Sequence, residues 1–575
     1  MPEIDKISAV ESKIASRKTF WDMVIVFEVV FILQSIIVLL KNSPSIFPDE
    51  VCALKRAIYF AQHFSFETCE NITLLPSGDP YPFYSAIISP VYWFTYGLTA
   101  YKTILIFNAL LISSLVFPLF KIFKRFIENN KTIFGGIFFI LFLPQILVYG
   151  ASTMTETVFI VINIWFLYFY LKSFDSSKPW LYKMISVLIA IFGAFSRPFG
   201  FIILLALIVN EIACNKNSHK KKFILLLVSL TIALVSFAVL VGNAGIIEAT
   251  YKKILGLNSL DGWLNVGKAI AEQINSFSIA TFIVPVVLFF SRIGEDDSKD
   301  LASIRVFLIS YIGLNFLISA QHIYGYFMVA SDPGILTRYI QSSLVYIFMF
   351  SFIFFFRYKT LRLNGRTIVF TSMLLASLLL FFPTNGFKHS LNFDSSIYGE
   401  TYWHMYGKDI IPINFILEKI FLIFSSVLFV FLVLKKRVLF AVFLIAAIGI
   451  NSFYIVTRFI PQMKVSPLSE FLGEKEEDVS YLLGGENEQQ TIDYLTIIWE
   501  LHGLTRNRIH TIVINFPNKD HPDPIIGKDE FKNSDFFKKS KYIISKYNLD
   551  LPIVIRWASG NLYRNDQYSN TNTQI

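Results

Sequence analysis

The chain has 575 residues, of which 54% are hydrophobic and only 16% charged, and its 51 Lys and Arg exceed its 42 Asp and Glu to give a formal charge of +9. Soluble domains carry about 25% charged residues, so this composition excludes an ordinary water-soluble enzyme and points to a chain that lies largely in a membrane. Aromatic residues make up 17% of it, and they sit in long apolar runs rather than in alternating strand-like segments, which argues against an outer-membrane barrel.

The first residues, MPEIDKISAVESKIASRKTF, are polar and mixed in charge. The apolar run after them is too long for a secretory signal and lacks its small-residue cleavage site, so it reads as a retained first membrane helix. A membrane helix needs about 20 apolar residues. On that rule the sequence predicts spans at 22–40, 100–120, 132–149, 154–171, 184–196, 199–213, 223–243, 280–291, 306–321, 339–356, 368–383, 414–434 and 438–456, about thirteen in all. Those at 184–196, 199–213 and 280–291 are short and either begin earlier or are partly re-entrant.

Short cytoplasmic loops collect Lys and Arg. With the N-terminal segment 1–21 inside, the inward loops hold Lys121, Lys124, Arg125 and Lys131; Lys172, Lys178 and Lys183; Lys216, Lys220, Lys221 and Lys222; Arg292, Lys299 and Arg305; Arg357, Lys359, Arg362 and Arg366; and Lys435, Lys436 and Arg437. Topology thus accounts for most of the positive charge, and nucleic acid is not an expected partner. Longer loops at 41–99, 244–279, 322–338 and 384–413, and everything after about 457, fall outside.

The first outer loop carries Asp49–Glu50 just beyond the membrane, where Asp49 reads either as the N-cap of VCALKRAIYFAQHF or as part of a site. Farther along come Asp79 and the cluster SGDPYPFYSAIISPVYWF. Its Tyr81, Tyr84, Tyr92 and Trp93 suit an interfacial aromatic belt, and Pro80 and Pro82 stiffen it. Cys52 and Cys69 share this loop and either pair there or remain free thiols; Cys214 falls on the other side.

Ionisable groups in membrane helices are costly and weigh more. Glu156 opens one helix, Arg197 in GAFSRPFGFIILL lies at a turn between two short ones, and Arg338 in DPGILTRYIQSSLVY enters another, all in the predicted outer leaflet. They make either a structural ion-pair network, such as Glu156 with Arg197, or a polar cavity suited to an anionic lipid phosphate. Residues 457–575 are soluble in composition. TIDYLTIIWELHG and KNSDFFKKSKYIISKYNL read as helices and IHTIVINF and LPIVIRW as strands, predicting a small extracytoplasmic α/β appendage with a disordered tail.

Pro48–Asp49–Glu50, the Asp79-Pro-Tyr-Pro-Phe-Tyr stretch, Glu156 in the fourth helix, Ser196-Arg197-Pro198-Phe199-Gly200 and Arg338–Tyr339 occur in this order. In these features the chain resembles the GT-C superfamily of integral membrane glycosyltransferases, the group of protein O-mannosyltransferases and lipid A aminoarabinose transferases, over roughly residues 20–460. One departure is Leu54 where the family often has a Tyr soon after the acidic pair; here Tyr59 comes only later. The resemblance implies an all-α polytopic GT-C-like fold at 22–456 and an inverting transfer of sugar from a polyprenyl-phosphate donor to an extracytoplasmic lipid, glycan or protein acceptor.

Such an inversion needs a base behind the attacking hydroxyl and stabilisation of the departing phosphate. The resemblance gives Asp49 as the base, with Glu50 orienting the acceptor, tuning Asp49 or sharing a divalent cation with Asp79. Arg338 and Arg197 become phosphate clamps, unless Arg197 instead neutralises Glu156. Tyr81, Tyr84, Tyr339 and His404 are further candidate contacts, His404 lying among Tyr402, Trp403 and Tyr406. High Phe, Ile, Lys and Asn usage resembles an AT-rich prokaryotic genome and so points to a plasma membrane and the cell envelope. The competing class is a multi-helix transporter or lipid or polysaccharide flippase, but its charges would mark a path through both leaflets and no inverted halves are evident.

Overall fold

A computed structural model describes residues 2–41, 48–65, 83–197, 200–214, 299–327 and 341–357, short pieces between 224 and 270 and between 449 and 456, and five strands between 479 and 564. Most of the spans expected at 223–243 and 438–456 and all of those at 280–291, 368–383 and 414–434 lie outside the described residues, as does the helix candidate TIDYLTIIWELHG. The other helix candidate, KNSDFFKKSKYIISKYNL, is corrected: its Tyr542–Ser545 stretch is a strand, because a Tyr-Ile-Ile run suits an extended, paired backbone.

The described helices are α1 (Pro2–Leu39), α2 (Pro48–His63), α3 (Phe83–Ile88), a 3-10 turn at Ser89–Trp93, α4 (Gly97–Ser114), α5 (Val116–Lys124), α6 (Asn130–Leu141), α7 (Pro144–Gly150), α8 (Thr155–Asp175), α9 (Pro179–Ser196), α10 (Phe201–Cys214), α11 (Lys299–Phe327) and α12 (Gln341–Arg357). Five stretches of them are long and apolar enough to cross a membrane, at Arg17–Leu39, Gly97–Lys124, Thr155–Asp175, Pro179–Ser196 and Ser303–Ala320. The chain is therefore an integral membrane protein. The run expected as one span at 132–149 is α6 and α7, bent by 57°. Pro144 causes the break: it heads α7 and removes an amide donor that a continuous helix would use. α1 begins at Pro2, so the polar N-terminal segment is helical and continuous with the first span.

By compactness the chain divides into two units, one of Met1–Val38, Phe107–Ala151 and Thr155–Ile460, the other of Leu39–Ile106, Ser152–Met154 and Pro461–Ile575. In the first, α8 packs along α9, and α10 along α11. Phe352 of α12 meets Phe123 and Phe139 at ring separations of 5.5 and 6.0 Å. Gly136 of α6 lies against the same ring; an added Cβ there would stand 2.5 Å from it. At one end of the unit Arg125 grips Asp175 and donates to the Leu171 carbonyl at 3.0 Å.

The second unit holds α2, α3 and the 3-10 turn packed together, and a sheet of order β2-β1-β3-β5-β4. Its strands are β1 (Val479–Leu483), β2 (Ile509–Val513), β3 (Tyr542–Ser545), β4 (Ile553–Trp557) and β5 (Gly560–Arg564). β1 runs parallel to β2 and β3, while β5 is antiparallel to both β3 and β4. The runs expected as strands in IHTIVINF and LPIVIRW contain β2 and β4.

Candidate functional site

Pro48 occupies the first position of α2, where its fixed φ suits a helix start and its missing amide proton costs nothing. Asp49 consequently stands inside the first turn instead of capping it, and the Glu50 carboxylate falls where the helix dipole favours negative charge. Glu50, Ala53, Leu54 and Ala57 are all buried, and their i, i+3, i+4, i+7 spacing makes them one stripe. Glu50 thus heads the buried face of its helix.

That burial is compensated in full. The Lys41 ammonium donates to both Glu50 oxygens, at 3.0 Å to Oε1 and 3.1 Å to Oε2. The Tyr101 hydroxyl donates to Oε1 at 3.2 Å, and Thr153 gives it its backbone N–H at 2.9 Å and its hydroxyl at 3.2 Å. Glu50 is 0% exposed, and Lys41, Tyr101 and Thr153 are buried with it. Burial pulls the Lys41 pKa below the ordinary lysine range, against the opposing pull of the Glu50 charge. Lys102 of α4 in turn donates to the carbonyls of Leu39 and Lys41.

The other end of α2 is closed by Phe64, whose left-handed φ of 52° ends the helix without a glycine. There the Trp93 indole donates to the Ala61 carbonyl at 3.0 Å. The His63 ring stacks on Tyr59 at 4.2 Å. Tyr84 of α3 is enclosed. Cys52 is disulfide-bonded; Cys69 lies outside the described residues.

In the membrane unit, Glu156 sits in the first turn of α8 and meets the Arg197 guanidinium at 2.8 Å, with side-chain exposures of only 5% and 8%. Arg197 is brought there by the end of α9. Its backbone is extended, its N–H still reaches the Gly193 carbonyl at 3.1 Å, and its own carbonyl accepts from Gly200 N–H at 2.9 Å. The turn closes so tightly that a Cβ on Gly200 would run into the Gly193 carbonyl. Glycine is therefore required at this position on steric grounds.

Three buried or part-buried polar groupings in the same unit were not among the sequence candidates. Tyr311 and Asn315 of α11 both donate to the Ser342 hydroxyl of α12, at 2.9 and 3.3 Å, and Tyr346 donates to the Asn163 carbonyl at 2.8 Å. Asn210 joins the Tyr170 hydroxyl to Ser303, and Lys183 pairs with Glu211 at 2.7 Å. Neutral Tyr, Asn and Ser in apolar runs give no pattern by which to tell a network member from a solitary polar residue.

Of the sequence-derived site residues, Glu50, Tyr84, Glu156 and Arg197 are described with their surroundings, and Asp49 is placed in the first turn of α2. Asp79, Tyr81, Arg338, Tyr339 and His404 lie outside the described residues. Among the described residues no three His, Cys, Asp or Glu gather as a metal site. The Glu50 carboxylate is engaged by the Lys41 ammonium at 3.0 Å.

No family model matches the chain, and no curated protein matches it. Among solved structures, the chain is similar to the crystal structure of ArnT from Cupriavidus metallidurans bound to undecaprenyl phosphate, with 11% identity, a TM-score of 0.49 and coverage of 96% of this chain and 99% of that one.

Proposed function

We propose that the chain is an inverting glycosyltransferase that moves a sugar from a polyprenyl-phosphate donor to an extracytoplasmic lipid, glycan or protein acceptor. The observation that carries this reading is the state of two carboxylates in the motif order. Glu50 and Glu156 are each buried and each paired with a cation, Lys41 and Arg197. Uncompensated, such charges would be expensive, and their pairing fits a chain that maintains charge at these two places.

In this reading Asp49, in the first turn of a helix held by Glu50, is the base. It accepts the proton of an acceptor hydroxyl as that oxygen bonds to the anomeric carbon. The bond from that carbon to the phosphate oxygen breaks, and its electron pair leaves on the polyprenyl phosphate. Arg338 clamps that phosphate with the planar donors of its guanidinium; Arg197, engaged by Glu156, fixes the α9–α10 turn beside its helix. Asp79, Tyr81, Tyr84, Tyr339 and His404 belong to the acceptor and sugar contacts. The topology that goes with it has about thirteen spans, a cytoplasmic N-terminus, the loop 41–99 outside, and residues 457–575 as an extracytoplasmic α/β domain. The disulfide at Cys52 supports the outward side for that loop, since disulfides persist in oxidising compartments.

Proteoliposomes given a panel of polyprenyl-phosphate sugars and a cell-envelope extract test the reading. Labelled sugar is expected to pass from the lipid to an acceptor. Movement of lipid or glycan across the bilayer with no transfer would contradict it in favour of a transporter.

A further inference from the structure

Glu50 joins three separated parts of the chain: Lys41 from the segment after α1, Tyr101 from α4 and Thr153 from the turn before α8. Stability alone does not explain a buried ion pair at this junction. Exchanging such a pair for apolar residues of similar volume is often neutral or stabilising, because desolvation of the two charges offsets their attraction. A directional tie does something an apolar contact cannot: it fixes the rotation and height of the turn that carries it. Here that turn carries Asp49, the residue before Glu50.

We propose that Lys41 is a positioning residue whose ammonium, through Glu50, holds the first turn of α2 and thereby the backbone at Asp49. This rests on the reading of Asp49 as the base. Lys41 is suited to the task because it is itself anchored: Lys102 of α4 donates to its carbonyl, while its Nζ holds both Glu50 oxygens. The tie therefore runs from α4 through Lys41 to α2. Tyr101 and Thr153 bond to Oε1, while Lys41 restrains the carboxylate at both oxygens.

The test compares full-length wild type, Lys41→Met, Lys41→Arg and the apolar pair Lys41→Met with Glu50→Met. Three quantities are read: thermal midpoint, amide hydrogen exchange across residues 48–53, and kcat and KM for sugar transfer. The apolar pair is expected to lower the midpoint modestly, because the Tyr101 and Thr153 donors lose their acceptor, to keep the donor KM, to exchange faster in the first turn of α2, and to lose about a hundredfold in kcat, the scale of a 1 Å misplacement. Lys41→Arg, which retains the charge, is expected to recover part of that loss. Wild-type exchange and kcat in the apolar pair would overturn the proposal. So would a collapse of its midpoint together with kcat, which would make the pair a plain structural element. If wild type transfers no sugar from any donor, the glycosyltransferase reading fails, and first-turn exchange alone decides whether Lys41 holds α2.

Discussion

The Arg197 guanidinium lies 2.8 Å from the Glu156 carboxylate, and almost nothing of either side chain reaches the surface. Removing one member of such a pair leaves a buried charge alone, at a cost of about 3–5 kcal/mol, whereas removing both does not. Glu156→Gln and Arg197→Gln are each expected to lower the thermal midpoint in detergent, and the double variant to recover a substantial part of the loss. Purely additive losses would mean that the two residues act separately.

Gly200 and Gly193 make a graded steric pair. In Gly200→Ala the new methyl meets the Gly193 backbone, which cannot swing aside, so little folded protein is expected by size-exclusion chromatography. In Gly193→Ala the methyl meets Ile162 and Ile203 side chains at 3.2 Å, which yield more easily. That variant should fold with a penalty of about 1–3 kcal/mol.

Asn210 satisfies both the Tyr170 hydroxyl and Ser303, linking α8, α10 and α11. Asn210→Ala leaves those buried groups short of a partner and is expected to cost about 1–3 kcal/mol. Asn210→Ala combined with Tyr170→Phe and Ser303→Ala, which removes all three polar groups, should cost less than the sum of the three changes. Thermal midpoints of wild type, the three single variants and the triple variant check this.

Cys52 is both buried and disulfide-bonded. In right-side-out vesicles a membrane-impermeant maleimide is expected to label Cys52 only after reduction. Labelling before reduction would contradict the disulfide, and labelling only in inverted vesicles would reverse the proposed orientation of the 41–99 loop.

The charged residues were more legible in the sequence than the neutral groups that support them. Glu156 and Arg197 stood out because a charge in an apolar span is expensive, and Glu50 because it stands in an acidic pair at the start of the first outer loop; the structure gives each a charged partner. Lys41 carried a usable signal as well: it directly follows the first apolar run, on the side where the charge pattern expects few lysines. Tyr101 and Thr153 carried none. They are neutral and lie 51 and 103 residues from Glu50, so only tertiary folding brings them to it. The bend between α6 and α7 was written in Pro144, but hydropathy averaged over 132–149 passes across a single proline. The N-cap reading of Asp49 was displaced by Pro48, which takes the first helical position itself.

The most direct measurement is the rate of sugar transfer in proteoliposomes by wild type, Asp49→Asn and Asp49→Glu, each supplied with the same polyprenyl-phosphate donor and acceptor extract. A base at Asp49 predicts a loss of about 10²–10⁴-fold in Asp49→Asn, partial activity in Asp49→Glu, and unchanged donor binding in both. Transfer by Asp49→Asn at the wild-type rate would contradict the account, because no carboxylate at that position would then be taking the acceptor proton.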